Sequence, residues 1–187
     1  EQRLYMEYIN SSSEQMQLYI KTLIDISRAA TGYQLHMEII NLADYVEYLR
    51  GQVSALCQTK KNNLQVEIKN LPITLSADRL LLERAIMNVV NNALDFSPLN
   101  GSVYLSITGD NNNLRITITD TGNGFSREDL LHAQEQFYMA DHSRSSNLHF
   151  GMGLFITKSI VQQHGGQLIL GNSDKTGGAQ VTIKIPY

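Results

Sequence analysis

Cysteine is nearly missing from this chain. Cys57 stands alone, so no disulfide can form within the chain, and a reducing compartment suits it. It lies beside Leu56 in a helical pattern, where a packed thiol is expected rather than a reactive one. Basic excess is missing too: 15 Lys+Arg stand against 18 Asp+Glu, a net charge of −3. The chain therefore offers no basic field to nucleic acid or to an anionic membrane surface. No apolar run reaches the roughly 20 residues of a membrane span. No secretory signal pattern is present, and no segment repeats. What is there is 187 residues, 42% of them hydrophobic, enough for one good-sized domain with or without an appendage. A domain of about 150 residues buries roughly 70% of its unfolded surface, so it needs no metal or disulfide for stability. The first residue is Glu1, not Met, inside a helical pattern, which suggests a piece of a longer protein.

Residues 1–31 read as one long helix. Tyr5, Ile9, Ser12, Met16, Tyr19, Leu23, Ile26 and Ala30 recur at alternating spacings of four and three, and Gly32 ends the run. That is a heptad seam, to be buried on its own domain or on another helix. Leu35 to Ile40 suggests a short strand with Leu35, Met37 and Ile39 on one face, and Asn41 can cap the helix that follows. There Leu42, Val46, Leu49, Val53 and Leu56 form an apolar stripe. Lys60 to Asn63 is a polar turn. Leu64, Val66 and Ile68 alternate as a half-buried strand, and Ile73 to Leu75 suggests another after Pro72. Two alternating runs, 103–107 and 114–118, form a hairpin about the turn Asp110-Asn111-Asn112-Asn113. Gly153 to His164 reads as a helix stopped by Gly165-Gly166, with His164 as a C-terminal cap. Gln167 to Leu170 and Gln180 to Ile185 form a last hairpin turned by residues 174–178. Strands and helices do not alternate strictly, so the class is α+β, a mostly antiparallel sheet layered on helices.

Two features carry chemistry. The first is the helix from Asp78 to Phe96. Apolar residues wrap most of it, but Asn88, Asn92 and Asp95 share one side at i, i+4, i+7. Asn is a mediocre helix former, because its side chain competes for backbone hydrogen bonds. Asn88, Asn91 and Asn92 in mid-helix form either a solvated face or a row of amide oxygens for a hydrated Mg²⁺, an ion that takes oxygen ligands and shares itself with substrate phosphates. The second feature is a pair of glycine clusters, Asp120-Thr121-Gly122-Asn123-Gly124 and Gly151-Met152-Gly153-Leu154, bracketing a polar segment from Ser126 to His149. Glycine lets backbone N–H groups approach an anion, and a helix N-terminus adds a favourable dipole. The pair suggests a phosphate-bearing ligand under a lid.

The ordered set Asn88-Val89-Val90-Asn91-Asn92-Ala93, Asp120-Thr121-Gly122-Asn123-Gly124 and Gly151-Met152-Gly153-Leu154 resembles the N box and two glycine boxes of sensor histidine kinases. Their ATP domain belongs to a superfamily shared with DNA gyrase, the heat-shock chaperone ATPases and the MutL repair proteins. Glu135-Gln136-Phe137-Tyr138 looks like the phenylalanine box, residues 156–166 resemble the family's usual continuation, and residues 23–32 resemble the end of its dimerisation hairpin. The resemblance implies a Bergerat-type ATP-binding fold, a two-layer sandwich with three helices, over residues 35–187. Before it, residues 1–34 would be the second helix of a dimerisation hairpin. It further implies ATP and Mg²⁺ as cofactors, a homodimer, a response-regulator receiver domain as partner, and the cytoplasmic part of a membrane-attached parent.

Carried over by position, the resemblance has Asn92 ligate Mg²⁺ with help from Asn88, and Asp120 accept from the adenine amino group. Guanine would leave that carboxylate unpaired at roughly 1–3 kcal/mol. Gly122 and Gly124 would let the turn approach base and sugar, and Gly151, Gly153 and Leu154 would bring backbone donors to the phosphates. Phe96 and Phe137 would line the nucleotide, and Arg144 would pair with the γ-phosphate during transfer. Gyrase-like ATPases carry a Glu where Asn88 stands; Asn cannot act as a general base, so transfer to a protein nucleophile is favoured over hydrolysis. Three positions depart from the family. Asp95 replaces a common Lys, Phe96 a common Tyr, and His149 a common Gly. None of His36, His132, His142, His149 or His164 lies in the His-Glu/Asp-x-x-x-Pro pattern of the phosphoacceptor, so the histidine-bearing helix is expected outside this sequence. A nucleotide-binding module without kinase activity and an anti-sigma-type serine kinase are the alternatives.

Overall fold

Hydrophobic alternation puts one side of a sheet in the core, and helical stripes cover it. The computed structural model describes residues 24, 27, 32, 34–110, 112–139 and 151–187. Its elements run β1 (Glu38–Asn41), α1 (Leu42–Lys60), β2 (Asn63–Lys69), β3 (Thr74–Ala77), α2 (Arg79–Phe96), β4 (Ser102–Gly109), β5 (Asn113–Thr119), α3 (Arg127–His132), α4 (Gly153–Gln163), β6 (Gln167–Asn172) and β7 (Ala179–Pro186). Of the helix expected over 1–31, only Ile24 and Ser27 are described, both helical; Arg144, His142 and His149 lie outside the described residues.

Five strands pair in the order β2-β4-β5-β7-β6, and β1 pairs with β3 in a separate two-stranded sheet. The β2/β4 pair is parallel and the others are antiparallel. Register aligns the apolar sets: Leu105 faces Ile118 across β4/β5, and Ile116 faces Ile183 across β5/β7, all buried. Helices α1, α2 and α4 lie on this face. They bury, among others, Leu49 and Val53, then Ile86 and Val90, then Ile160 and Val161. The opposite face is polar, with Thr117 and Thr182 hydroxyls hydrogen-bonded at 3.0 Å. The architecture is therefore an α+β sandwich of a mixed, mostly antiparallel sheet on three helices. Caps fix the helix starts: the Asn41 and Asp78 side chains accept from Asp44 N and Leu81 N.

Three local expectations change. The strand before α1 turns its other face inward: Ile40 is 5% exposed and pairs with buried Leu75, whereas Ile39 is 73% exposed. Leu42, fully buried at the start of α1, sets the phase, and a one-residue slip flips every side chain of a strand. On α1, Tyr45 and Cys57 are buried, whereas Leu56 is only half-buried. The segment after Ser126 is not irregular throughout, because α3 opens on a capping box in which Ser126 and Asp129 satisfy each other's backbone N–H.

Candidate active site

Asn88 and Asn92 on α2 face the start of α4. Asn88 Nδ2 lies 3.5 Å from the Gly153 carbonyl. A Cβ built on Gly153 would sit 3.6 Å from both terminal atoms of Asn92, so the amide hangs directly over the first residue of α4. Met152, the residue before the helix, provides no side-chain cap. The first-turn N–H groups of α4 are thus donors that an anion can take up. Thr157 ties the two helices together, its Oγ1 lying 2.8 Å from Gly153 O and 3.4 Å from Ala85 O.

Gly151 fills a position no other residue fits. Its φ is +64°, and a Cβ there would collide with the Tyr138 carbonyl. The backbones of Tyr138 and Gly151 therefore touch. Phe137, the preceding residue, is 61% exposed and has a φ of +65°, a strained conformation for an L aromatic residue. Tyr138 holds this corner by donating its hydroxyl to Asp129 Oδ1 at 2.9 Å.

The second half of the site is built around Asp120, which is 3% exposed. Its Oδ1 accepts from Gly122 N at 2.8 Å and from Ala179 N at 3.0 Å. Among the described residues no hydrogen bond reaches Oδ2. Burial raises the Asp120 carboxyl above the usual range, and the two backbone N–H groups partly oppose it. A Cβ on Gly178 would collide with the Asp120 backbone carbonyl, and the Thr176 hydroxyl donates to that same oxygen at 2.8 Å. A Cβ on Gly122 would collide with the Phe96 carbonyl. The turn after β5 thus packs on the end of α2, and both halves of the site share that helix. Gly124, at φ +72°, lies under Asn172. Asn172 in turn clamps Phe125 through both its N–H and its C=O, at 2.7 and 2.8 Å.

The structure thus brings Asn88, Asn92, Gly151 and Gly153 together, and joins them through Phe96 to Gly122 and Asp120. Phe96 is half exposed, and Leu154 packs against the core. Asp95 pairs with Lys60 at 2.9 Å, which offsets the negative charge it adds beside the amide row. Thr176, Gly178, Ala179, Asn172 and Thr157 escaped the sequence reading. Gly177-Gly178 was the available signal, read only as a hairpin turn. Among the described residues, no cluster of three His, Cys, Asp or Glu side chains could hold a metal; the oxygen donors facing α4 are neutral amides.

The model of the histidine kinase-, DNA gyrase B- and HSP90-like ATPases matches residues 77–187, a span containing every site residue above. The sensor histidine kinase SpaK of Bacillus subtilis is 38% identical over 186 residues, covering 100% of this chain and 40% of SpaK. The chain thus spans about two fifths of that relative's length. Full-length ShkA in complex with AMPPNP superposes with a TM-score of 0.81 at 20% identity, covering 97% of this chain and 38% of that one. The histidine kinase ThkA in complex with its response regulator TrrA superposes at 0.76 and 18% identity, covering 96% of this chain and 50% of that one. The latter two likenesses bear on the fold. With the matched span, the amide row over an open helix start and the buried carboxylate joined to it, this chain belongs to the histidine kinase-, DNA gyrase B- and HSP90-like ATPase family.

Proposed function

We propose that this chain is the catalytic, ATP-binding domain of a sensor histidine kinase, and that it transfers the γ-phosphate of Mg²⁺-ATP to a histidine for relay to a response-regulator aspartate. The observation that carries this reading is the placement of Asn88 and Asn92 over the uncapped start of α4, with the buried Asp120 carboxylate joined to the far end of the same helix through Gly122 and Phe96. A nucleotide fits this polarity end for end. Oδ2 receives the adenine amino group, and the α4 N–H groups receive phosphate oxygens. Asn92, assisted by Asn88, would hold Mg²⁺, which neutralises phosphate charge when bound. Arg144 would add a cation from the lid during transfer. Phe96, Phe137 and Leu154 would line the nucleotide, and Gly122 and Gly124 would let the turn approach the base. Neither Asn88 nor Asn92 can deprotonate water, since both are amides. Transfer to a positioned imidazole then needs only alignment and charge neutralisation. The acceptor histidine would lie on the dimerisation hairpin, whose second helix would be residues 1–34, in a homodimer placed on the cytoplasmic side of a membrane-attached sensor.

SpaK carries the name of a sensor histidine kinase, ShkA was solved with AMPPNP and ThkA with a response regulator; these support the same reading. Asp95 stands where the family commonly has a Lys, and an acid there would repel phosphate; the Lys60–Asp95 pair offsets that charge and so weakens the case for a module without kinase activity. Radiolabelled γ-phosphate transfer to a supplied histidine-bearing hairpin tests the reading. An acid-labile, base-stable phosphoprotein is expected. ATP binding with no phosphoprotein would favour the regulatory module, and an acid-stable product would favour a serine kinase.

A further inference from the structure

Helices α2 and α4 are joined at the ends remote from the nucleotide groove. His164, 7% exposed at the end of α4, lies with Nε2 3.0 Å from the backbone N of Asp78. Its Nδ1 lies 2.8 Å from the Ile160 carbonyl. A carbonyl can only accept and an N–H can only donate. The ring is therefore the neutral Nδ1–H tautomer, giving one hydrogen bond and taking one. Asp78, 5% exposed, spends its two oxygens differently. Oδ1 caps α2 by accepting from Leu81 N at 3.0 Å, and Oδ2 accepts from His36 N at 2.9 Å. Nearby, a Cβ on Gly32 would lie 3.0 Å from the Gln163 side-chain nitrogen. One carboxylate and one imidazole thus fasten three things at one point: the segment leading in from residue 32, the start of α2 and the end of α4.

Toward the candidate site, the middle of α2 (Asn88 and Asn92) meets the first residue of α4 (Gly153). At about 1.5 Å per residue, Asn88 stands roughly 14 Å from the Asp78 end and Gly153 roughly 15 Å from the His164 end. The helices run antiparallel and pack along their length, with Thr157 joining them a second time at the Ala85 carbonyl. A small change in their angle at the Asp78–His164 end alters the gap between Asn88 and Gly153, because packed helices pivot as rigid bodies rather than deform.

We infer that the Asp78–His164 joint is a positioning device: it sets the spacing of the groove and couples it to the backbone at His36, where residues 1–34 join. A shift of the backbone at His36 acts on Asp78 Oδ2, and Asp78 and His164 pass it to both helices. The inference rests on the ATP-binding reading for its consequence, not for its geometry.

Two conservative variants separate this role from simple capping of α4. In His164→Gln the terminal oxygen reaches the place of Nε2 and accepts from Asp78 N. In His164→Asn the shorter amide reaches only the place of Nδ1 and can still donate to Ile160 O. If His164 merely caps α4, the Asn variant is the better tolerated. If the joint positions the groove, the Gln variant retains Mg²⁺-ATP affinity, and the Asn variant loses about fivefold or more, the order of one buried hydrogen bond.

The side-chain NH₂ resonances of Asn88 and Asn92 give a readout that needs no nucleotide. They are expected to shift in His164→Asn and to stay in His164→Gln. Should His164→Asn not fold, Asp78→Asn serves. It is isosteric, and its amide can accept from only one of the Leu81 and His36 N–H groups. It is expected to speed amide exchange at His36 or Leu81 and to move the same two resonances. Unmoved Asn88 and Asn92 resonances in the folded variants would overturn the inference. Wild-type chain that bound no nucleotide would instead sink the ATP-binding reading, leaving the resonances to decide this one.

Discussion

Asp120 shows how one side chain trades stability for recognition. Burial holds its carboxyl above the usual range, so the native chain keeps that proton to higher pH than the unfolded chain does. The ionised native form therefore costs stability at neutral pH, and the cost fades as pH falls through the native value towards the ordinary carboxylate range. Asp120→Asn removes the charge and keeps an Oδ1 that can accept from Gly122 N and Ala179 N. Its unfolding midpoint at pH 7 is expected to equal or exceed the wild type's, with the gap closing near pH ~4. A gap independent of pH would mean that charge burial is not its source. The same variant puts an NH₂ where the adenine amino group would donate, so preference for ATP over GTP should erode; competition binding measures it, and an unchanged preference would place base reading elsewhere. Asp120 was legible in the sequence because glycines at Gly122 and Gly124 follow it closely. Its braces, Thr176 and Ala179, were not, since they lie 56 and 59 residues further along the chain and only strand pairing brings them back.

At the scale of elements, the β6–β7 turn is the wall behind Asp120, and glycine is what lets it stand so close. Gly178→Ala forces a Cβ into the Asp120 backbone and should cost ~1–3 kcal/mol, the usual penalty of overpacking, along with nucleotide affinity. Gly171→Ala, on β6 with nothing within 4 Å of its Cβ, is the control and should stay within ~0.5 kcal/mol. Equal midpoints for the two variants in chemical denaturation would contradict the close approach. Helix α3 buries none of its residues, so caps and Tyr138 must hold it. Asp129→Ala removes both the Ser126 N–H acceptor and the Tyr138 partner. Amide exchange over 127–132 should then quicken about fivefold, as for loss of ~1 kcal/mol of capping; unaltered exchange would show that another contact holds the helix. The sequence reading placed α2 from Asp78 to Phe96, one residue early at its start, where Asp78 is the cap and Arg79 the first helical residue. It missed α3, which has six residues and no apolar stripe. A serine three places before an aspartate was the only sign.

At the scale of the whole molecule, period-two alternation made the hairpins and the layered α+β class legible. Strand order was not legible, because the parallel β2/β4 pair and the return of β7 to β5 depend on which apolar faces meet, not on any local residue. The face of β1 was misread for the same reason: Leu42, outside the strand, sets its phase. The groove itself was legible only as three separated boxes. The fold joins them through α2, which carries the first box and touches the other two, Asn88 beside Gly153 and Phe96 beside Gly122. The central claim is that this shared groove binds one nucleotide through its magnesium. Calorimetric titration of ATP, with and without Mg²⁺, into wild-type chain and Asn92→Ala tests it most directly. Wild-type affinity should rise with Mg²⁺, and Asn92→Ala, with an unchanged unfolding midpoint, should lose that rise. The same Mg²⁺-dependent rise in both proteins would contradict the account.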